Sequence, residues 1–436
     1  MSSDVLVLGA GMAGLAAAER LAAAGQRVVV LEARERVGGR IRTVHDPRVR
    51  HPIELGPEFV HGQPAELLEL IRTAGLHVDD VPEYHQRGAS PDAAFPTDLR
   101  ATLGTLLARS AASPDRPVAE LLGGWRAELR RPGELDGLVR YLEGFHAADM
   151  AKLGTRSLAE NEAAEDEDGG DLHRVREGYG ALVHWMSERL DRARVDLRLS
   201  APVRHIRWRN GHVRMSVDSG GGTLTDIIAP RAIITLPLAV LQRRAGEPGA
   251  VPIDPEPPGW REPLAALHMG AAHHVVLGFD TRWWASDGVD GPSFVHGGSE
   301  PFPVWWTSLP AHVPLITGWS GGPRAATLAG LDVETLQGLA LESLASVFGR
   351  SVDELRSRLR LAYLHDWMAD PFAGGAYSYG GVGAIAARAA LAKPVADTIF
   401  LAGEAVAHAG RNATVHGALA SGRDAADRVL GERRLR

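Results

Sequence analysis

Val5-Leu-Val-Leu8, Gly9-Ala-Gly11-Met-Ala-Gly14, Leu15-Ala-Ala-Ala-Glu-Arg-Leu-Ala-Ala-Ala24, Gly25 and Val28-Val-Val-Leu31-Glu32 open the chain in that order. The two short runs of branched apolar residues read as buried strands, and the alanine-rich segment between them is a strong helix former. Gly25 ends that helix. Strand, glycine loop, helix, strand and acid form the arrangement that binds a dinucleotide. Gly9 permits the tight turn, Gly11 lets backbone approach a pyrophosphate, and Gly14 lets helix and strand pack closely. The helix N-terminus faces the negative charge. Glu32 can accept hydrogen bonds from ribose hydroxyls, and a carboxylate there disfavours a 2′-phosphate. NAD and FAD both remain open on these residues.

Working outward, the chain has 436 residues, which suggests two or three domains; 45% are hydrophobic and 23% charged, ordinary values for a globular protein. Net charge is −7, so nothing in the balance suggests a nucleic-acid backbone or an anionic membrane as partner. No apolar run approaches the ~18 residues of a membrane-spanning helix, and no leader pattern precedes Asp4, so a cytoplasmic protein is expected. The absence of cysteine rules out disulfides, thiolate metal ligands and a cofactor attached through sulfur.

Glu32-Ala-Arg34-Glu-Arg-Val-Gly38-Gly39-Arg40 resembles the segment after the second strand in flavin-containing amine oxidases, the family of monoamine oxidases, polyamine oxidases and flavin-dependent histone demethylases. In that family the Gly-Gly-Arg step meets the FAD pyrophosphate, a task suited to the forked guanidinium of Arg34 or Arg40. Further blocks are similar in family order. Ile53-Glu-Leu-Gly56-Pro57-Glu58-Phe59-Val-His61-Gly62 resembles the stretch beside the flavin ring, with Pro57 where a small residue is usual. Arg176-Glu-Gly178-Tyr-Gly180 resembles the turn back into the FAD domain, and Val203 matches the residue whose backbone meets the adenine. Ala232 to Leu241 matches a strand ending in Leu-Pro. Gly403-Glu404 resembles the second cofactor turn, and Thr414-Val415 the start of the helix under the flavin.

The resemblance implies an α/β protein in which a Rossmann-type FAD domain (1–77, 176–262 and 371–436) is interleaved with a mixed-sheet-plus-helices substrate domain (78–175 and 263–370). It implies FAD held non-covalently, because Ala376 stands where monoamine oxidases carry the flavin-linking cysteine. Small-molecule amine and dioxygen are the implied partners; the oligomeric state is not indicated. His61, Trp367, Tyr377 and His274 are the implied substrate-side residues. Tyr377 would form one wall of an aromatic cage whose other wall falls at Thr414. His274 stands where the family has a lysine that holds a water near the flavin. An imidazole there is expected to ionise near neutrality. The acidic run Glu160 to Asp171 reads as a solvated loop near the channel mouth. The pairs Trp283-Trp284 and Trp305-Trp306 offer aromatic walls or sheet packing. The expected activity is oxidation of a primary or secondary amine, in some members a di- or polyamine, to imine and peroxide. An amino-acid oxidase, a carotenoid-type desaturase and a weakly catalytic flavin-binding interaction protein are the alternatives.

Overall fold

The computed structural model describes residues 3–82, 84–88, 99–128, 134–220, 223–285, 291–297 and 300–431. Two sheets organise it. The first is parallel and five-stranded, in the order Ile399–Leu401, Arg231–Ile234, Val5–Leu8, Val28–Leu31, Val195–Arg198. Its strands are short and buried on both faces, as expected where helices cover a parallel sheet. Helix Met12–Ala23 covers one face together with helix Val415–Val429 from the far end of the sequence. The two helices touch closely because Gly422 has no side chain: a Cβ there would lie 2.1 Å from the Ala13 carbonyl oxygen. An antiparallel meander, Val203–Arg209, His212–Asp218 and Leu224–Ala229, packs on the other face.

The second sheet has six strands, in the order Leu359–Leu364, Ala272–Phe279, Leu315–Gly321, Val304–Thr307, Phe294–His296, His85–Arg87. Every pairing is antiparallel except the last. Four helices, Leu99–Ala111, Val118–Glu128, Glu134–Phe145 and Thr155–Glu167, gather around a separate apolar core. The acidic run therefore differs from the loop expected: from Glu160 to Glu167 it is helix. Its apolar periodicity is weak because the inward positions are partly polar and are satisfied by partners rather than by burial among aliphatic side chains. Glu162 is buried against His146 at 2.9 Å. The strand expected to end at Leu236-Pro237 ends at Ile234, and a short helix, Leu238–Gln242, follows Pro237. Among the described residues, no helix is long and apolar enough to cross a membrane.

Candidate active site

The glycines of the first loop answer to different demands. Gly9 has φ +105°, and a Cβ there would sit 2.6 Å from Thr235 Oγ1. At Gly14 a Cβ would be 1.9 Å from the Gly9 carbonyl oxygen, so helix and turn cannot approach with any side chain present. Gly11 is different. Its backbone is ordinarily extended, and a Cβ would meet no protein atom closer than 3.8 Å. Protein packing does not call for glycine at that position. The bare backbone faces a large cavity, as a cradle for a pyrophosphate would.

Glu32 closes the second strand and is buried, accepting from the Ala10 N–H at 2.8 Å and the Arg34 N–H at 2.9 Å. Each of its oxygens keeps a lone pair for a further donor. The Arg34 guanidinium bonds Asp370 at 2.8 Å and lies over the Phe372 and Trp367 rings. Burial alone would raise the Asp370 pKa, but its bonds to His365 and Arg34 hold it well below the usual carboxylate range. One Arg34 nitrogen is thus committed to Asp370, while the side chain still borders the cavity. Gly39 has φ +60° and packs on Gly11, and Arg36 fastens this loop by donating to the carbonyls of Val37, Gly39 and Ile41. Arg36 carries this structural task without having stood out in the sequence.

Arg40 bonds Glu404 at 2.8 Å and the Ala376 carbonyl at 2.9 Å. Glu404 is buried and also accepts from the Ser378 hydroxyl and the Ala413 N–H. Burial pushes its pKa up, but the Arg40 charge and these bonds prevail and lower it. Gly403 precedes it with φ +131°, and Gly56 passes so near Arg40 that a Cβ would be 2.0 Å from the Arg40 oxygen. Thr414 is the N-cap of helix Val415–Val429, accepting from the Gly417 N–H at 2.9 Å. Val203, Gly403, Glu404, Thr414 and Val415 border the same cavity as Gly9 and Gly11.

The other end of the cavity is an aromatic box. Strand register sets His274 opposite Trp319 and Trp319 opposite Val304, which brings the next-but-one residue, Trp306, onto the same face. His274 lies 5.6 Å from Trp306 and 6.3 Å from Trp319, centroid to centroid. Tyr377 stacks on Trp319 at 6.4 Å and an 8° interplanar angle, its hydroxyl donating to the Phe145 carbonyl at 2.6 Å. The ring parallel to Tyr377 is therefore Trp319, while Thr414 spends its hydroxyl on a helix cap. Trp305 points the other way into the core with Trp284, so only one member of that tryptophan pair reaches the site. Trp367 is buried, with its indole N–H on the Leu55 carbonyl at 2.6 Å, and forms wall rather than a free polar group.

A carboxylate enters this box. Glu58 accepts from Trp306 Nε1 at 2.8 Å and from Arg174 Nε at 2.9 Å. Arg174 is itself buried, donates to the Thr307 and Leu309 carbonyls and covers the Phe59 ring. Pro57 and Phe59 flank Glu58 on the cavity wall. His274 Nε2 stands 3.7 Å from Glu58 and has no hydrogen-bond partner. Burial lowers the His274 pKa, opposed by Glu58 and by a bond to the Gly56 backbone. The imidazole is therefore displaced towards its neutral form, away from the ionisation near neutrality expected from histidine in general.

At the mouth, His61 Nδ1 lies 3.6 Å from Glu165, and Asp168 holds Arg411 at 2.8 Å with His416 at 3.8 Å. Burial pushes the His416 pKa down to about 4, against the pull of Asp168. One cavity of about 1330 Å³ joins all three regions, from Gly9 and Glu32 through Tyr377 and His274 to His61.

A dinucleotide fold whose cofactor cradle opens directly into an aromatic box defines a class of cofactor-dependent proteins that handle a small ligand beside the cofactor. The chain belongs to the family of flavin containing amine oxidoreductases, which it matches over residues 12–430. It is 28% identical over 453 residues to lysine-specific histone demethylase 1 homolog 2 of Oryza sativa subsp. japonica, covering 99% of this chain but 57% of that protein. It is 27% identical over 458 residues to polyamine oxidase 4 of the same organism, covering 97% and 88%. The fold is similar to that of putrescine oxidase bound to putrescine, with TM-score 0.80, 21% identity and coverage of 99% and 100%. It is also similar to cyclohexylamine oxidase from Brevibacterium oxydans IH-35A, with TM-score 0.78, 20% identity and 99% coverage of both chains.

Proposed function

We propose that the protein is an FAD-dependent amine oxidase acting on a primary or secondary amine, with dioxygen as final acceptor and imine and hydrogen peroxide as products. The observation that carries this reading is the single cavity running from the bare Gly11 backbone to the box of Trp306, Trp319, Tyr377 and His274. The FAD domain would comprise 1–77, 176–262 and 371–436, and the substrate domain 78–175 and 263–370. Gly9, Gly11, Glu32, Arg34, Gly39, Arg40, Gly56, Pro57, Phe59, Val203, Gly403, Glu404, Thr414 and Val415 would border the cofactor, Gly14 would serve it through the close packing of helix and turn, and Glu58, held by Trp306 and Arg174, would face the substrate instead. When bound, FAD supplies the acceptor for the hydride on the carbon next to nitrogen.

The side chains do the rest. Tyr377 and Trp319 orient the nitrogen and exclude water, and their fixed partners, Phe145 and Gly144 carbonyls, keep the rings from turning. Glu58 and Asp168 are balanced by Arg174 and Arg411, so Glu165 beside His61 is the carboxylate that draws in a cation, which favours a di- or polyamine over an amino acid. The test is a panel of mono-, di- and polyamines and amino acids scored for peroxide. Turnover confined to amines is the expected result, and peroxide from amino acids alone would refute the assignment.

Retention of the cofactor without a covalent bond makes a second prediction. Acid precipitation of the yellow protein should leave all flavin in the supernatant as FAD, since Ala376 offers no sulfur and the chain has no cysteine. Flavin remaining with the pellet would contradict it.

A further inference from the structure

The Gly38-Gly39 loop is flanked by Arg34 and Arg42, and both flanks are tied to one short stretch of chain beyond strand Leu359–Leu364. Arg42 Nη1 lies 2.7 Å from His365 Nδ1, and His365 Nε2 lies 2.7 Å from Asp370 Oδ2. Asp370 Oδ1 accepts from Arg34 at 2.8 Å and from the Phe372 N–H at 2.8 Å. A guanidinium only donates, so Nδ1 is an acceptor and the ring's proton lies on Nε2, where it donates to Asp370. The imidazole is thus a neutral spacer between a cation and a carboxylate. It packs edge-on against Trp367, with 4.1 Å between ring centroids.

We propose that His365 is a positioning residue for the cofactor: it fixes the plane of the Asp370 carboxylate, and through it aims Arg34 at the adenosine-diphosphate half of the flavin dinucleotide. The inference rests on the flavin-binding part of the proposed function and not on the amine chemistry. Glu32, which the Arg34 N–H bonds at 2.9 Å, keeps lone pairs for ribose hydroxyls, and this sets Arg34 at the adenosine end. Among the described residues the Arg34 guanidinium makes no hydrogen bond besides that to Asp370, so its other N–H groups are left for a ligand in the cavity it borders.

The spacer matters because cations crowd this loop. Arg34, Arg36, Arg40 and Arg42 follow one another closely along the chain. Burial, with the charges of Arg34 and Arg42 nearby, pushes the Arg36 pKa down to about 10. Asp370 answers Arg34 and Glu404 answers Arg40. Arg42 would compete with Arg34 for Asp370 were His365 not between them. The imidazole gives Arg42 an acceptor without spending a carboxylate, and Asp370 is kept for Arg34.

His365→Leu removes the spacer. Asp370 then loses the donor that fixes Oδ2 and is free to turn to Arg42, which leaves Arg34 without its anchor. ADP affinity of the apoprotein should fall about tenfold, the size of one charge-assisted hydrogen bond lost. Riboflavin, which carries the ring system and no phosphate, should bind this variant as it binds the wild type. His365→Gln offers a carbonyl to Arg42 and an N–H to Asp370 in one amide plane. It should restore ADP binding to within about twofold of wild type.

His365 and Arg34 act in series, so their effects must not multiply. Arg34→Met alone should weaken ADP by about tenfold or more, and His365→Leu added to it should change nothing further. Calorimetry on the apoprotein reads this without turnover. Losses that multiply, equal loss of ADP and riboflavin in His365→Leu, or a His365→Gln variant as weak as His365→Leu would overturn the proposal and leave His365 a packing residue. Should His365→Leu not fold, Arg42→Met unties the other side of the ring and must weaken ADP with the same selectivity, or the proposal falls. If wild-type apoprotein binds neither ADP nor riboflavin, the flavin reading fails instead. If it binds both and the loaded protein oxidises no amine, the amine reading alone fails.

Discussion

Gly14→Ala is expected to yield a protein with little soluble, flavin-loaded product, whereas Gly11→Ser should fold normally and lose its flavin. At Gly14 the added carbon would lie 1.9 Å from the Gly9 carbonyl oxygen. Alanine gains about 1 kcal/mol over glycine in helix propensity. Overpacking against rigid backbone costs about 1–3 kcal/mol and at this separation belongs at the upper end or beyond, so the clash wins. At Gly11 no protein atom is in the way, and serine at the N-cap is better than glycine by only a few tenths of a kcal/mol, roughly. The apoprotein melting temperature should therefore hold or rise slightly in Gly11→Ser. Flavin absorbance after gel filtration should fall sharply, because the hydroxymethyl group occupies the cradle. Full flavin retention by Gly11→Ser would remove the main argument that this loop approaches a pyrophosphate.

The second large effect is expected from Arg174→Met. Arg174 is the cation opposite Glu58; its side chain is buried at 7% exposure and that of Glu58 largely covered at 14%. Removing one partner of such a pair leaves an uncompensated charge, a loss of about 3–5 kcal/mol. Denaturant melts should register that loss in the single variant. Arg174→Met combined with Glu58→Gln should recover the greater part of it, because no charge is then stranded. What remains reflects the Thr307 and Leu309 carbonyls, which lose their donor in both variants. Additive effects of the two substitutions would mean that the pair is not coupled.

The parts of the site that were legible in the sequence are those built from neighbours along the chain. The glycine loop, Glu32 and the Gly38-Gly39-Arg40 step carry their spacing within forty residues, and turn chemistry fixes that spacing locally. Arg174 and Trp319 gave no such signal. Each reaches the site through pairing of distant strands: Phe59 opposite Arg174, and His274 opposite Trp319. A one-residue change of register would turn either side chain away, so the sequence alone does not specify its face. Thr414 shows the converse. It lies where the resemblance implied a cage wall, yet a threonine followed by a helix has a stronger local use as its cap. The acidic helix shows little apolar periodicity because its buried positions include Thr155, Ser157 and Glu162, the last paired with His146. Periodicity in hydrophobicity cannot register burial that is satisfied by ion pairs.

The contact of helix Met12–Ala23 with helix Val415–Val429 also bears on biosynthesis. The glycine loop is made some four hundred residues before the helix that closes its cradle, with Gly422 against Ala13. The central strand Val5–Leu8 likewise waits for Arg231–Ile234, which in turn waits for Ile399–Leu401. A complete cradle for a flavin is thus expected only once both helices have been made. During elongation the early strands expose unpaired edges, which are prone to pairing with other chains. Low flavin supply during rapid expression should accordingly leave finished apoprotein able to take up cofactor afterwards, rather than chains arrested half-made.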